Sequence, residues 1–114
     1  LRGRRASSHW RARELLSRFG AIPSDERLCV DGNLFTAGGV TSGIDMALLV
    51  VAQLCGEDAA KLIQLQIEYA PKPPFPGGTP KTSEPAVVQR YLEMSRARFE
   101  RRSQAVDRAA AAMA

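Results

Sequence analysis

The chain has 114 residues, 45% of them apolar and 25% charged, and carries a net charge of +4. That is room for one small domain or part of a larger one, and enough apolar material for a buried core. Two cysteines, Cys29 and Cys55, are too few and too plainly spaced for a disulfide framework or a zinc site, so both are expected as reduced, buried thiols.

The chain opens on Leu1 and runs at once into Arg2, Gly3, Arg4 and Arg5, which suggests a piece of a longer chain. Up to residue 18 there are six arginines against one acid, Glu14, and from Ala86 onward six more against Glu93, Glu100 and Asp107. A basic patch can recruit nucleic acid. Here the arginines alternate with acids and alanines, and no aromatic residues are interleaved for base stacking. The pattern reads as solvated helix faces, without nucleic acid as partner. The stretch after the basic start is SSHW, unlike the apolar run of a secretion signal. The longest apolar stretch, 44–54, is too short to cross a bilayer, which takes about 20 residues, and it contains Asp45 and Gln53. A cytoplasmic location without a membrane partner is expected.

In chain order, residues 5–9 (RASSH) form an extended piece ending in a polar cluster. Ser8 is placed to cap a helix over 10–19, with Leu15, Leu16 and Phe19 sharing a face with Trp10 or Ala12. Arg11, Glu14 and Arg18 point outward, and Gly20 supplies a left-handed stop. Leu28 and Val30 alternate with Arg27 and Asp31, and Asp31-Gly32-Asn33 is a turn signal. A β-hairpin over 27–37 follows, with Leu34-Phe35-Thr36 as the returning strand. Next comes AGGVTSGID, where two glycines allow a sharp turn and Thr41 or Ser42 can cap a helix. Ser42 with Asp45 resembles a capping box with the shorter acid.

That helix, to about Leu54, is apolar almost all round and must be covered on several sides. What the chain itself supplies is too little to cover it. Glu57 and Asp58 favour a new helix start. The run IQLQIEY alternates like a strand, but the nearby start and the absence of a breaker favour helix to about Tyr69. Residues 70–85 hold six prolines and two glycines and read as an extended arm. A long helix begins at Ala86, with Val88, Tyr91, Leu92, Ser95 and Phe99 on one stripe, and decays into a fraying arginine- and alanine-rich tail.

Three blocks, RASSHWRARELLSRFGA, LFTAGGVTSGIDMALLVVAQLCG and EDAAKLIQLQIEYAPKPPF, resemble the second half of ThiJ/PfpI proteins of the isocyanide hydratase branch, within the class I glutamine amidotransferase-like superfamily. The resemblance covers residues 1–85, and the tail carries little of it. The stretch 63–75 separates this branch from the sensor domains of AraC-type transcription regulators.

The resemblance implies an α/β fold: the C-terminal half of a flavodoxin-like sandwich, with a hairpin, two or three core helices and a long C-terminal helix. It divides the chain into 1–69 within the domain, the arm 70–85, and the helix and tail 86–114. It also implies a homodimer, a small-molecule substrate, no cofactor and no metal. In that family a cysteine on a strand-to-helix elbow attacks, with an acidic residue beside it. In the isocyanide hydratases the thiolate would attack the isocyanide carbon, and water would release an N-substituted formamide. Both the cysteine and the acid lie upstream of the family's equivalent of Leu1. Cys29 and Cys55 match neither position.

His9 does match a family histidine near the nucleophile, where it could orient substrate, hold the thiolate or relay a proton. Without the resemblance, His9 reads as the end of a strand hydrogen-bonded locally. Gly39, Val40 and Thr41 match the loop beside the family's pocket and become candidate substrate-binding residues through their amides. The alternative for this loop is close packing and a helix cap. Asp45 reads as a cap, Trp10 as packing on Leu15, and Pro71, Pro73, Pro74 and Phe75 as an arm without chemistry. Two further readings stand beside the enzyme half: a ligand-sensing domain of an AraC-type regulator, and a non-catalytic oligomerising module.

Overall fold

The computed structural model describes residues 1–114. A two-residue strand, β1 (Arg5–Ala6), pairs in parallel with β2 (Ile22–Pro23) after a crossover through a 3-10 helix at Arg13–Phe19. The hairpin follows as β3 (Leu28–Asp31) and β4 (Leu34–Ala37), antiparallel, with Leu28 opposite Ala37 and Asp31 opposite Leu34. Its two-residue turn has Gly32 at φ 60, the left-handed conformation that such a turn requires of its first central residue. Three helices complete the chain: α1 (Ser42–Cys55), α2 (Glu57–Gln66) and α3 (Pro85–Ala112).

Helix α1 lies against α2 on one side and the hairpin on the other. The sharp break between α1 and α2 falls on Gly56, at φ 94, where a side chain would be strained. Ion pairs tie the strands together: Arg4 Nε donates to Asp31 Oδ2 at 3.1 Å, and Arg5 Nη2 to Glu26 Oε2 at 2.7 Å. The arm has no regular structure and leads to Pro85, which opens α3 in the first helical turn, where its missing N–H costs nothing. The mixed α/β architecture expected of half a sandwich is present, and α2 is a helix rather than a strand.

Several expectations are corrected. The segment after His9 is a 3-10 helix entered at Ala12, and neither Ser8 nor any other side chain caps it. Arg11 is half-buried rather than outward, 3.8 Å over the Phe99 ring, whereas Arg18 is exposed as expected and also binds Ser103 at 2.7 Å and Asp107 at 2.8 Å. The segment is thus clamped to α3 from outside, which sustains a longer 3-10 run than such helices reach alone. Trp10 packs on His9 and Tyr91, with centroids at 5.6 and 5.3 Å. The capping box does not form. Ser42 Oγ donates to the Gly39 carbonyl at 2.5 Å, and Asp45 turns away to Arg27 and Tyr69. α3 extends through the arginine- and alanine-rich tail to Ala112.

Only nine of the 114 residues are buried, among them Ala6, Leu15, Ala21, Cys29 and Ala60. Cys29 is buried as expected, but Cys55 is exposed, because nothing covers its end of α1. No helix is long and apolar enough to cross a membrane.

Candidate functional site

The site begins with how the chain pins the end of β1. Buried Ser7 donates its N–H to Thr36 Oγ1 at 2.9 Å and its hydroxyl to the Glu26 carbonyl at 2.7 Å. Two residues later, His9 Nδ1 accepts the Arg11 N–H at 3.1 Å. With Nδ1 used as an acceptor, the neutral ring carries its proton on Nε2, which is left to donate. Burial lowers the His9 pKa below the ordinary histidine value, and the cations Arg102 and Arg13 lower it further. His9 is therefore held neutral near physiological pH.

Opposite the ring runs the loop 38–41. Gly38 donates its N–H to the Arg27 carbonyl at 3.0 Å. A Cβ there would meet Ser42 Oγ at 3.5 Å and the Ser8 carbonyl at 3.9 Å, so the loop passes close to the His9 segment. The next three N–H groups, of Gly39, Val40 and Thr41, have no acceptor within the protein. Successive free amides beside a helix start can hold an anionic or strongly polar group.

These parts meet in a cleft of about 550 Å³ lined by His9, Trp10, Arg13, Asp25, Arg27, Gly38–Thr41 and Gly78–Lys81. All four residues singled out from the sequence, His9, Gly39, Val40 and Thr41, line this one cleft. His9 also makes the local hydrogen bond expected of a strand-end histidine.

The sequence reading missed the cleft's charged walls. Arg27 Nε binds Asp45 Oδ2 at 2.6 Å, and Asp45 also accepts the Tyr69 hydroxyl. Burial raises the Asp45 pKa, but the Tyr69 and Arg27 hydrogen bonds outweigh it and hold the carboxyl below its usual range. Lys81 binds Asp25 at 2.8 Å. Arg13 Nε is buried with no acceptor. The arm, to which no chemistry was assigned, brings Gly78, Thr79, Pro80 and Lys81 to the rim. Nothing in its local sequence announces this, because its route over the domain is a tertiary matter.

A second, shallower depression lies along the end of α2 between Lys61, Leu65 and Tyr69. It offers neither a histidine nor a free amide run. No cluster of His, Cys, Asp and Glu suited to a metal is found, and neither Cys29 nor Cys55 lines the cleft.

A partial α/β layer thus brings His9 and a row of amides without acceptors to one cleft. No protein-family model matches the chain. It is similar to the isonitrile hydratase of Pseudomonas putida, with 48% identity over 111 residues, covering 97% of this chain and 49% of that protein. Among solved structures, it is similar to a ThiJ/PfpI family protein from Pseudomonas syringae, with a TM-score of 0.86 and 40% identity, covering 94% of this chain and 44% of that one. The chain belongs to the ThiJ/PfpI family and spans about half the length of the relatives it matches. The likeness extends beyond residue 85 into α3, further than the sequence blocks suggested.

Proposed function

We propose that this chain supplies one wall of an isocyanide-hydrating site, and that the attacking cysteine belongs to the half of the fold outside it. The observation that carries the reading is the placement of His9 and the free amides of Gly39–Thr41 in one cleft that no cysteine of this chain enters. The likeness to an isonitrile hydratase supports the substrate class.

In this reading a thiolate adds to the terminal isocyanide carbon, and that carbon takes up a proton. Water then attacks the same carbon and the carbon–sulfur bond breaks. The thiolate leaves, and an N-substituted formamide is released. Within the chain, His9 presents Nε2–H toward the cleft and orients substrate or water. The amides of Gly39, Val40 and Thr41 hold the polar end of the reacting group, where charge develops. The chemistry uses no cofactor. The two free thiols fit a reducing cytoplasm. The arm, with Phe75 80% exposed, is the segment by which the whole protein would form its homodimer.

The test is hydration of p-nitrophenyl isocyanide. The chain alone is expected to give no formamide. Assembled with the complementary half of a relative, it is expected to turn over, and His9→Ala should then lower kcat by about 10- to 100-fold. Turnover by the 114 residues alone would refute the claim that the nucleophile lies elsewhere.

A further inference from the structure

The amide row of Gly39, Val40 and Thr41 sits on a segment with little packing to hold it. Gly38 and Gly39 leave the backbone free to turn, and Val40 at the tip is 94% exposed. A loop of that kind is mobile unless polar contacts fix it. Its carbonyls are committed. Those of Gly39, Val40 and Thr41 accept the N–H groups of Ser42, Gly43 and Ile44, each at 3.2 Å, and Ser42 Oγ adds a second bond to the Gly39 carbonyl at 2.5 Å. A trans peptide sets its N–H opposite its carbonyl. The Val40 and Thr41 amides therefore turn away from α1.

One residue grips both ends of this row. The Arg27 carbonyl accepts the Gly38 N–H at 3.0 Å, and the Arg27 side chain donates from Nη2 to Thr41 Oγ1 at 3.4 Å. The guanidinium is aimed by its other edge, where Nε donates to Asp45 Oδ2 at 2.6 Å. Asp45 is fixed in turn. The Tyr69 hydroxyl donates to its Oδ1 and lies 3.5 Å from the Thr41 carbonyl. The Arg27 side chain is 57% exposed and that of Asp45 25%, so an isolated pair here would contribute little to stability. A planar guanidinium that bonds two groups at once fixes direction as well as distance. Direction is what the amide row requires.

We infer that Arg27, aimed by Asp45 and Tyr69, is a positioning residue that holds the free amides of Gly39, Val40 and Thr41 in place for the reacting group. The inference rests on the functional reading above, in which those amides meet the charge that develops on the substrate. Donors set in advance need no reorganisation at the moment of reaction. Arg27 acts through Thr41, its Nε and Nη2 both being engaged. The Gly38 end is held by main chain and survives any substitution at residue 27. Only the Thr41 end depends on the side chain.

The experiment measures amide order parameters by NMR relaxation on this chain. Gly39, Val40 and Thr41 are expected near the rigid value of about 0.85, and below about 0.6 in Arg27→Met. The hairpin 28–37 should stay rigid in both. Thr41→Val deletes the hydroxyl acceptor and leaves the Arg27–Asp45 pair intact, and it should loosen the same three amides. The double variant should loosen them no further than either alone, because both changes break one contact. In the assembled protein, Arg27→Met should lower kcat on p-nitrophenyl isocyanide about 10- to 100-fold while KM changes less than about threefold.

Order parameters that keep the wild-type value in both single variants overturn the inference. So does an assembled Arg27→Met protein that retains its kcat, or one altered in KM alone. Amides that loosen as expected, in a protein whose wild-type assembly hydrates no isocyanide, sink the functional reading and leave the positioning of the amide row standing.

Discussion

Gly39 faces His9 so closely that a methyl group added to it would stand 3.8 Å from Cδ2 of the ring. That distance is ordinary van der Waals contact, so Gly39→Ala fits without strain and removes water from one side of the imidazole. Burial already lowers the His9 pKa, and the added methyl should lower it further. His9 is the sole histidine, so its titration is read directly by NMR. The midpoint is expected below 6.5 in the wild type, lower again in Gly39→Ala, and higher in Arg102→Ala, which removes a repelling cation.

The sign of the linked stability follows. A histidine whose native pKa is depressed leaves the unfolded state to bind the extra proton. Stability is then full above about pH 6.5 and falls as pH drops toward the native pKa. Urea midpoints across pH 5–8 check this, and His9→Gln should flatten that part of the profile.

Asp45 ties three elements together, taking Arg27 from the hairpin entry and Tyr69 from the end of α2 onto the start of α1. Because its native pKa is lowered, its contribution is present above the usual carboxylate value of about 4. It is lost as pH falls through the native value. Asp45→Ala should cost about 1–2 kcal/mol at pH 7, restrained by the exposure of Arg27. Tyr69→Phe should lower stability by less than Asp45→Ala, because Arg27 still holds the carboxylate. A double-mutant cycle between the two is expected to show coupling, since they share one hydrogen bond.

The two cysteines differ in access. Cys29 is fully buried in β3, and Cys55 is exposed at the end of α1. A disulfide reagent such as DTNB should titrate one thiol in the folded chain and two after denaturation. Cys55→Ala should remove the fast reaction.

Helix α3 is fastened to the segment around the 3-10 helix by Arg11 and Arg18. The Arg11 guanidinium covers Phe99, and its Nε donates to Ser95 Oγ at 3.3 Å. Arg11→Ala should cost about 1–2 kcal/mol through the lost cation–π contact and hydrogen bond. The loss is expected to appear first as faster hydrogen exchange in α3 rather than in the hairpin.

The sequence by itself determined what depends on neighbours along the chain. The Asp31-Gly32-Asn33 turn, the helix starts after the glycines and, to within one residue, after the proline-rich arm, the helical state of 57–66 and the break at Gly56 are all set by local backbone preference. The expectation that His9 and Gly39–Thr41 lie near a pocket came instead from the family resemblance that the RASSH and GGVTSG blocks carry. Only the tertiary structure decided where side chains with several possible partners would go. Asp45 left its own helix start because Arg27 and Tyr69 arrive there from 18 and 24 residues away. Arg11 and Arg18, readable as solvent-facing, were claimed by a helix 84 and 85 residues on. The proline-rich arm became a cleft wall because its path follows the surface it crosses. Local preference acts over a few residues, whereas burial and ion pairing are settled by whatever the fold brings within a few ångströms.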